Sequence, residues 1–116
     1  MTIRVIKTTI KKSELVEIAR EEFGDIVKAV VDVEQKIMAI GGELHADEEM
    51  LLIEQEGSKR ENVWGVNIYP KKLEEEWLEF DSMINLKPAF GNRSRDVENE
   101  ATREKIKAIV RKLIID

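Results

Sequence analysis

Two segments in the second half of the chain alternate apolar and polar residues so regularly that they constrain the fold more than any other feature. They are VWGVNIYP, residues 63–70, and EWLEFDSMINLKP, residues 76–88. Because successive side chains of a β-strand point to opposite faces of its sheet, this period of two predicts neighbouring antiparallel strands. The expected register pairs Tyr69 with Trp77, Ile68 with Leu78 and Asn67 with Glu79. One face then carries Trp64, Val66, Ile68, Leu78, Phe80, Ile84 and Leu86.

The opposite face of these strands carries most of the polar residues that we single out as a candidate site. Glu79 and Asp81 stand two apart on one strand, so their side chains are expected roughly 6–7 Å apart. Such a pair can share a proton or bind a hard cation. The alternative is a solvated face, which antiparallel sheets often have. Aromatic residues beside acids also suit a protein interface. The face comprises Asn67, Tyr69, Trp77, Glu79, Asp81, Met83 and Asn85.

The remaining segments complete the expected fold. Residues 2–7 predict a short edge strand, and residues 26–42 predict a hairpin whose arms are apolar on both faces and therefore covered on both sides. In that hairpin Val31 should pair with Met38. Residues 11–24 and 99–114 predict helices, the second with apolar residues at positions 106, 109, 110 and 113. The sequence thus predicts a single α+β domain over residues 1–116. Its mainly antiparallel, meander-like sheet has five to six strands, with one helix after the first strand and one C-terminal helix.

The segment GGELHADEE, residues 41–49, holds the only histidine, His45, among several acids. Two structures are open for the residues that follow it. A tight turn at residues 46–48 would join two strands, and we favour it because EGSKREN follows closely as the next hairpin loop. The alternative is a short helix that begins near Asp47, where acids suit the helix start. A histidine held by a carboxylate can act as a general base, so His45, Glu79 and Asp81 form our candidate catalytic set.

The segment GNRSRD, residues 91–96, precedes the last helix and supplies the candidate anion contacts. Arg93 and Arg95 offer bidentate hydrogen bonds to a phosphate or carboxylate. Alternatively, both arginines pair with local acids while Asp96 or Asn99 caps the helix. The spacing is not that of a P-loop. The expected ligand-binding residues are Asn67, Tyr69, Trp77, Asn85, Arg93 and Arg95.

Composition excludes several classes of protein. A net charge of −5 argues against nucleic acid as a partner. The absence of cysteine removes thiolate chemistry and most structural zinc sites, and no cofactor or metal is identified. No apolar run has the length of a signal peptide or a membrane span, so we expect a cytoplasmic protein with no membrane partner. The high charged fraction of 37% is typical of thermophilic proteins.

The strings GGELHADEE, VWGVNIYP, EFDSMINLKP and GNRSR, in this order, resemble a family of small bacterial proteins known only as a domain of unknown function. The resemblance covers most of the chain. It implies a single-domain protein and no particular mechanism.

Two hypotheses for the function follow. The favoured one is a non-catalytic binding or interaction module that uses the Tyr69 and Trp77 face to bind a protein partner or a second copy in a homodimer. The other is a small enzyme or a protein that binds an anion or a metal. It would use His45, Glu79 and Asp81, with Arg93 and Arg95 holding a small anionic ligand.

Overall fold

The computed structural model describes residues 2–116 and is built around a five-stranded antiparallel sheet of order β1-β4-β3-β5-β6. A separate parallel pair, β2 and β7, joins the two ends of the chain, with Ile10 opposite Ile114. The α+β class and the helix positions after the first strand and at the C-terminus are confirmed. The strands are β1 Arg4–Ile6, β2 Ile10–Lys11, β3 Val27–Asp32, β4 Ile37–Ile40, β5 Val63–Ile68, β6 Leu78–Glu79 and β7 Ile114–Ile115; the helices are α1 Lys12–Glu22, α2 His45–Glu56 and α3 Glu100–Leu113.

The central hairpin of β3 and β4 forms in the expected register. Val31 lies opposite Met38, and Ala29 lies opposite Ile40. Every residue of β4 is buried, because helices cover both faces of these strands. The α1/α3 face packs α1 and α3 against Ala29, Val31, Met38, Ile40, Trp64, Val66 and Ile68. The α2 face packs α2 against Val30, Ile37, Ala39 and Val63. The prediction that this hairpin is covered on both sides is confirmed.

The favoured turn at residues 46–48 is wrong, since a helix starts at His45 and continues to Glu56. A run of four apolar residues cannot by itself distinguish helix from strand. Packing decides between them: Glu48 and Leu52, four residues apart, are fully buried on the same side of α2, while Met50 is 55% exposed. The apolar residues on the second face of the sheet need a cover, and α2 provides it.

The strand predicted over residues 76–88 is much shorter than expected. Ile68 pairs with Leu78 and Asn67 with Glu79, as predicted, but β6 ends there. Residues 83–85 form a short 3-10 turn instead. Because the chain turns away, Ile84 packs with Leu52 on the α2 face and not with Val66.

The side chain of Asn85 replaces the missing length of that strand. Its Oδ1 accepts a hydrogen bond from the Gly65 N–H at 2.8 Å, and its Nδ2 donates to the Gly65 carbonyl at 3.0 Å. One side-chain amide therefore satisfies the two backbone groups of Gly65 that Asp81 would have paired if β6 had continued in the same register. Asn85 also donates to the Arg95 carbonyl at 2.9 Å, which attaches the GNRSRD loop to β5.

The C-terminal helix follows the sequence pattern closely. Ile106, Ile109, Val110 and Leu113 are buried, and Asn99 caps the helix by accepting from the Thr102 N–H at 2.9 Å. Among residues 2–116, no helix combines the length and the apolar character needed to cross a membrane.

Candidate ligand-binding site

A small cavity of about 260 Å³ lies where the start of α2 meets β5 and the segment after β6. We call it the His45 pocket. Its polar wall is formed by Lys28, His45, Asn67, Asp81, Ser82 and Arg95, and the exposed apolar side chains Leu44 and Met83 border it. Four residues that the sequence singled out therefore converge, although they come from four separate segments: His45, Asn67, Asp81 and Arg95.

His45 is the first residue of α2, and its ring is held against β5. Its Nε2 lies 2.9 Å from the Val66 carbonyl oxygen. Since a carbonyl only accepts, Nε2 must carry the proton and donate it. Burial lowers the pKa of His45, although the bond to Val66 opposes that effect. The ring is therefore neutral at pH 7, with Nδ1 left as a hydrogen-bond acceptor.

Asn67 leaves one polar atom without a partner. Its side chain is buried, and its Nδ2 donates to Glu79 Oε1 at 2.8 Å and more weakly to the Asp81 carbonyl at 3.4 Å. These two acceptors fix the orientation of the amide, because only the NH2 group can donate. Oδ1 is buried and has no hydrogen-bond partner. A buried acceptor left unpaired costs free energy, so a ligand that donates to it would be stabilised.

The pocket carries an excess of positive charge. Asp81 is neutralised by Arg95, whose Nε lies 2.7 Å from Asp81 Oδ1. Lys28 takes part in none of the ion pairs found among residues 2–116, and its Nζ lies 5.0 Å from the centroid of the Phe23 ring. The N-terminus of α2 also lacks a side-chain cap, so it adds the partial positive charge of its backbone N–H groups.

Glu48, one turn further along α2, does not cancel this charge. It is fully buried, and its Oε2 accepts from the Gly42 N–H at 2.9 Å while Oε1 has no partner. Burial raises the pKa of Glu48 well above its usual value, against the opposing effects of Gly42 and Lys28. Burial therefore disfavours the negatively charged form of Glu48 near the start of α2.

The other predicted residues lie outside the pocket. Glu79 orients Asn67, and the Tyr69 hydroxyl donates weakly to Glu79 at 3.4 Å. Trp77 packs on the α1/α3 face, with Lys12 Nζ 5.3 Å from its ring centroid. The expectation that Tyr69 and Trp77 share the polar face is therefore wrong, because Trp77 ends a 3-10 turn with helical backbone angles, φ −61° and ψ −39°, and the alternation of a strand does not apply to it.

Arg93 and Asn85 also have placements that the sequence did not reveal. Arg93 is exposed and does not line the pocket; its backbone N–H contacts the Glu98 carboxylate. Asn85 is completely buried in the contacts to Gly65 described above. Asn92 supports the same loop by donating to the carbonyls of Asn85 and Asp96, both at 2.7 Å. The loop is thus held by amides, and only Arg95 extends from it into the pocket.

No three histidine, cysteine, aspartate or glutamate side chains of residues 2–116 are grouped to hold a metal ion. Of the predicted set, His45 and Asp81 line the pocket together, and Glu79 does not. Lys28, which sequence reasoning missed, does line the pocket. It is the only charged residue in the otherwise apolar run IVKAVV, residues 26–31. This exception in an apolar strand could have identified Lys28 as a candidate site residue.

Comparison with known families gives one match. A family model described as a protein of unknown function, DUF5674, matches residues 4–113. No curated protein and no solved structure matches the chain.

Proposed function

The chain belongs to the DUF5674 family, and from this premise we propose that it is a non-catalytic binding protein whose His45 pocket holds a small anionic ligand. One observation carries the proposal. A single cavity brings together the uncapped N-terminus of α2, the unpaired cation of Lys28 and the buried, unpartnered Oδ1 of Asn67.

Charge and size both define the ligand. Helix N-termini bind anions because their free N–H groups and the helix dipole act together. Lys28 adds a full positive charge at the same opening, where the charges of Arg95 and Asp81 offset each other. The cavity is smaller than the range of about 300–1,000 Å³ that holds drug-sized ligands. The ligand is therefore a compact anion with few carbon atoms.

Binding is favoured over catalysis for a specific reason. A neutral His45 with a free Nδ1 is competent as a base. However, Asp81 is committed to its ion pair with Arg95, and Glu79 is committed to Asn67. No carboxylate of the predicted catalytic set is thus free to act with His45. The homodimer remains a prediction that ligand binding does not require.

The experiment follows the single histidine by NMR while propionate is added. The His45 ring signals should shift and saturate at millimolar propionate. In Lys28→Met the affinity should fall about tenfold, because a charge-assisted contact is lost while the aliphatic stem is kept. Lys36→Met, which removes an exposed lysine outside the pocket, is the matched control and should bind as the wild type does. His45 signals that do not respond to propionate would refute the proposal.

A further inference from the structure

We infer that the ligand of the His45 pocket is a small carboxylic acid that also carries a hydroxyl or ammonium donor next to its carboxylate. This inference rests on the proposed function and makes it more specific. Its basis is the pairing, within one cavity, of a cationic end with a wall of hydrogen-bond acceptors.

The acceptor at the centre of that wall cannot be satisfied by rotation of its own side chain. Turning the Asn67 amide by 180° would place Oδ1 against the Glu79 carboxylate, where two acceptors would face each other. The contact of 2.8 Å between Nδ2 and Glu79 Oε1 therefore locks Oδ1 in its unpartnered position. No donor of the described residues is bonded to it in this structure, so we assign that donor to the ligand.

His45 is not that donor. In the neutral ring the proton on Nε2 is given to the Val66 carbonyl, and Nδ1 is a second acceptor. Only the protonated ring would donate to the Asn67 side chain, an interaction that raises the pKa of His45, and burial opposes that form by lowering the pKa. A simple carboxylate such as acetate satisfies the cations and the α2 N-terminus but presents only acceptors to Asn67. A hydroxy acid or an amino acid supplies both kinds of group in one small molecule.

The test compares two acids that differ by one donor, lactate and propionate, by isothermal titration calorimetry. For the wild type we expect lactate to bind about fivefold more tightly, as one hydrogen bond to a neutral group provides. In Asn67→Ala the preference should disappear, so that the ratio of the lactate and propionate affinities falls to about one. Tyr69→Phe, which removes a hydroxyl that contacts Glu79 outside the pocket, is the control and should keep the preference.

The outcomes separate the two proposals. If neither acid binds, the proposed function fails and this inference fails with it. If both acids bind equally to the wild type, anion binding stands and only the inference fails. A preference for lactate that survives in Asn67→Ala would also overturn it. Should Asn67→Ala not fold, Asn67→Val provides the same loss of the acceptor with a side chain suited to a strand.

Discussion

Gly65 occupies a position on β5 where no side chain fits. A Cβ built there would lie 2.5 Å from Ser82 Oγ, 2.6 Å from Ser82 Cβ and 3.2 Å from His45 Cδ2. We therefore predict that Gly65→Ala lowers the free energy of unfolding by about 2 kcal/mol, the usual cost of overpacking a filled interior. Urea denaturation of the two proteins measures the difference.

The double variant Gly65→Ala/Ser82→Gly is the control for this explanation. Removing the Ser82 side chain removes the two closest contacts, so a substantial part of the lost stability should return. A double variant less stable than Gly65→Ala alone would contradict the steric account.

Glu48 makes stability depend on pH in an unusual direction. Its pKa in the unfolded chain is near 4.5, and burial raises the pKa in the folded protein well above that value. Above pH 4.5 the folded state therefore binds more protons than the unfolded state, and the free energy of unfolding falls as the pH rises. Glu48→Gln cannot titrate, so its stability relative to wild type should increase from pH 5 to pH 8.

Urea denaturation at several pH values tests this, with Glu54→Gln as control. Glu54 lies on the same helix but is exposed, so its replacement should leave the pH profile of the wild type unchanged. The account of Glu48 fails if the difference between Glu48→Gln and wild type is the same at pH 5 and pH 8.

Asn85 acts as part of a sheet although it belongs to a 3-10 turn. Its amide satisfies the N–H and the carbonyl of Gly65 and the carbonyl of Arg95. Asn85→Ala leaves these buried groups without partners, and we expect a loss of about 3 kcal/mol in the free energy of unfolding. Hydrogen exchange at the Gly65 amide should accelerate more than exchange at Val30. Equal stability of wild type and Asn85→Ala would contradict this role.

Sequence patterns predicted correctly the elements whose structure depends mainly on their own residues. The register expected for the β3–β4 hairpin is observed, and the spacing of Ile106, Ile109, Val110 and Leu113 identified α3. Sequence patterns failed where contacts between distant segments determine the structure. Alternation continues past Glu79, but the amide of Asn85 competes for Gly65 and ends the strand pairing there. The residues after His45 form a helix because its packing buries the apolar side chains on the α2 face of the sheet.

The candidate site depends on how distant segments assemble, which a single sequence reveals least well. The residue types at His45, Asn67, Asp81 and Arg95 suggested chemistry, and the structure places these four around one cavity. Strand order put β3 next to β5, and that neighbour relation brought Lys28 opposite Asn67. Neither the role of Lys28 nor the orientation of Trp77 follows from spacing along the chain.

The protein has a second cationic surface, so a test of the His45 pocket must show where on the molecule the anion binds. Lys7, Lys36, Lys105 and Lys112 line a wider groove between α3 and the β3–β4 turn, where a small anion would be attracted without a specific site. The measurement we would make is a map of backbone and side-chain amide shifts by NMR as lactate is added. The largest shifts should fall on the His45 and Ala46 amides and the Asn67 side chain. Largest shifts at the lysine-lined groove, with the His45 region unchanged, would contradict the assignment of the pocket.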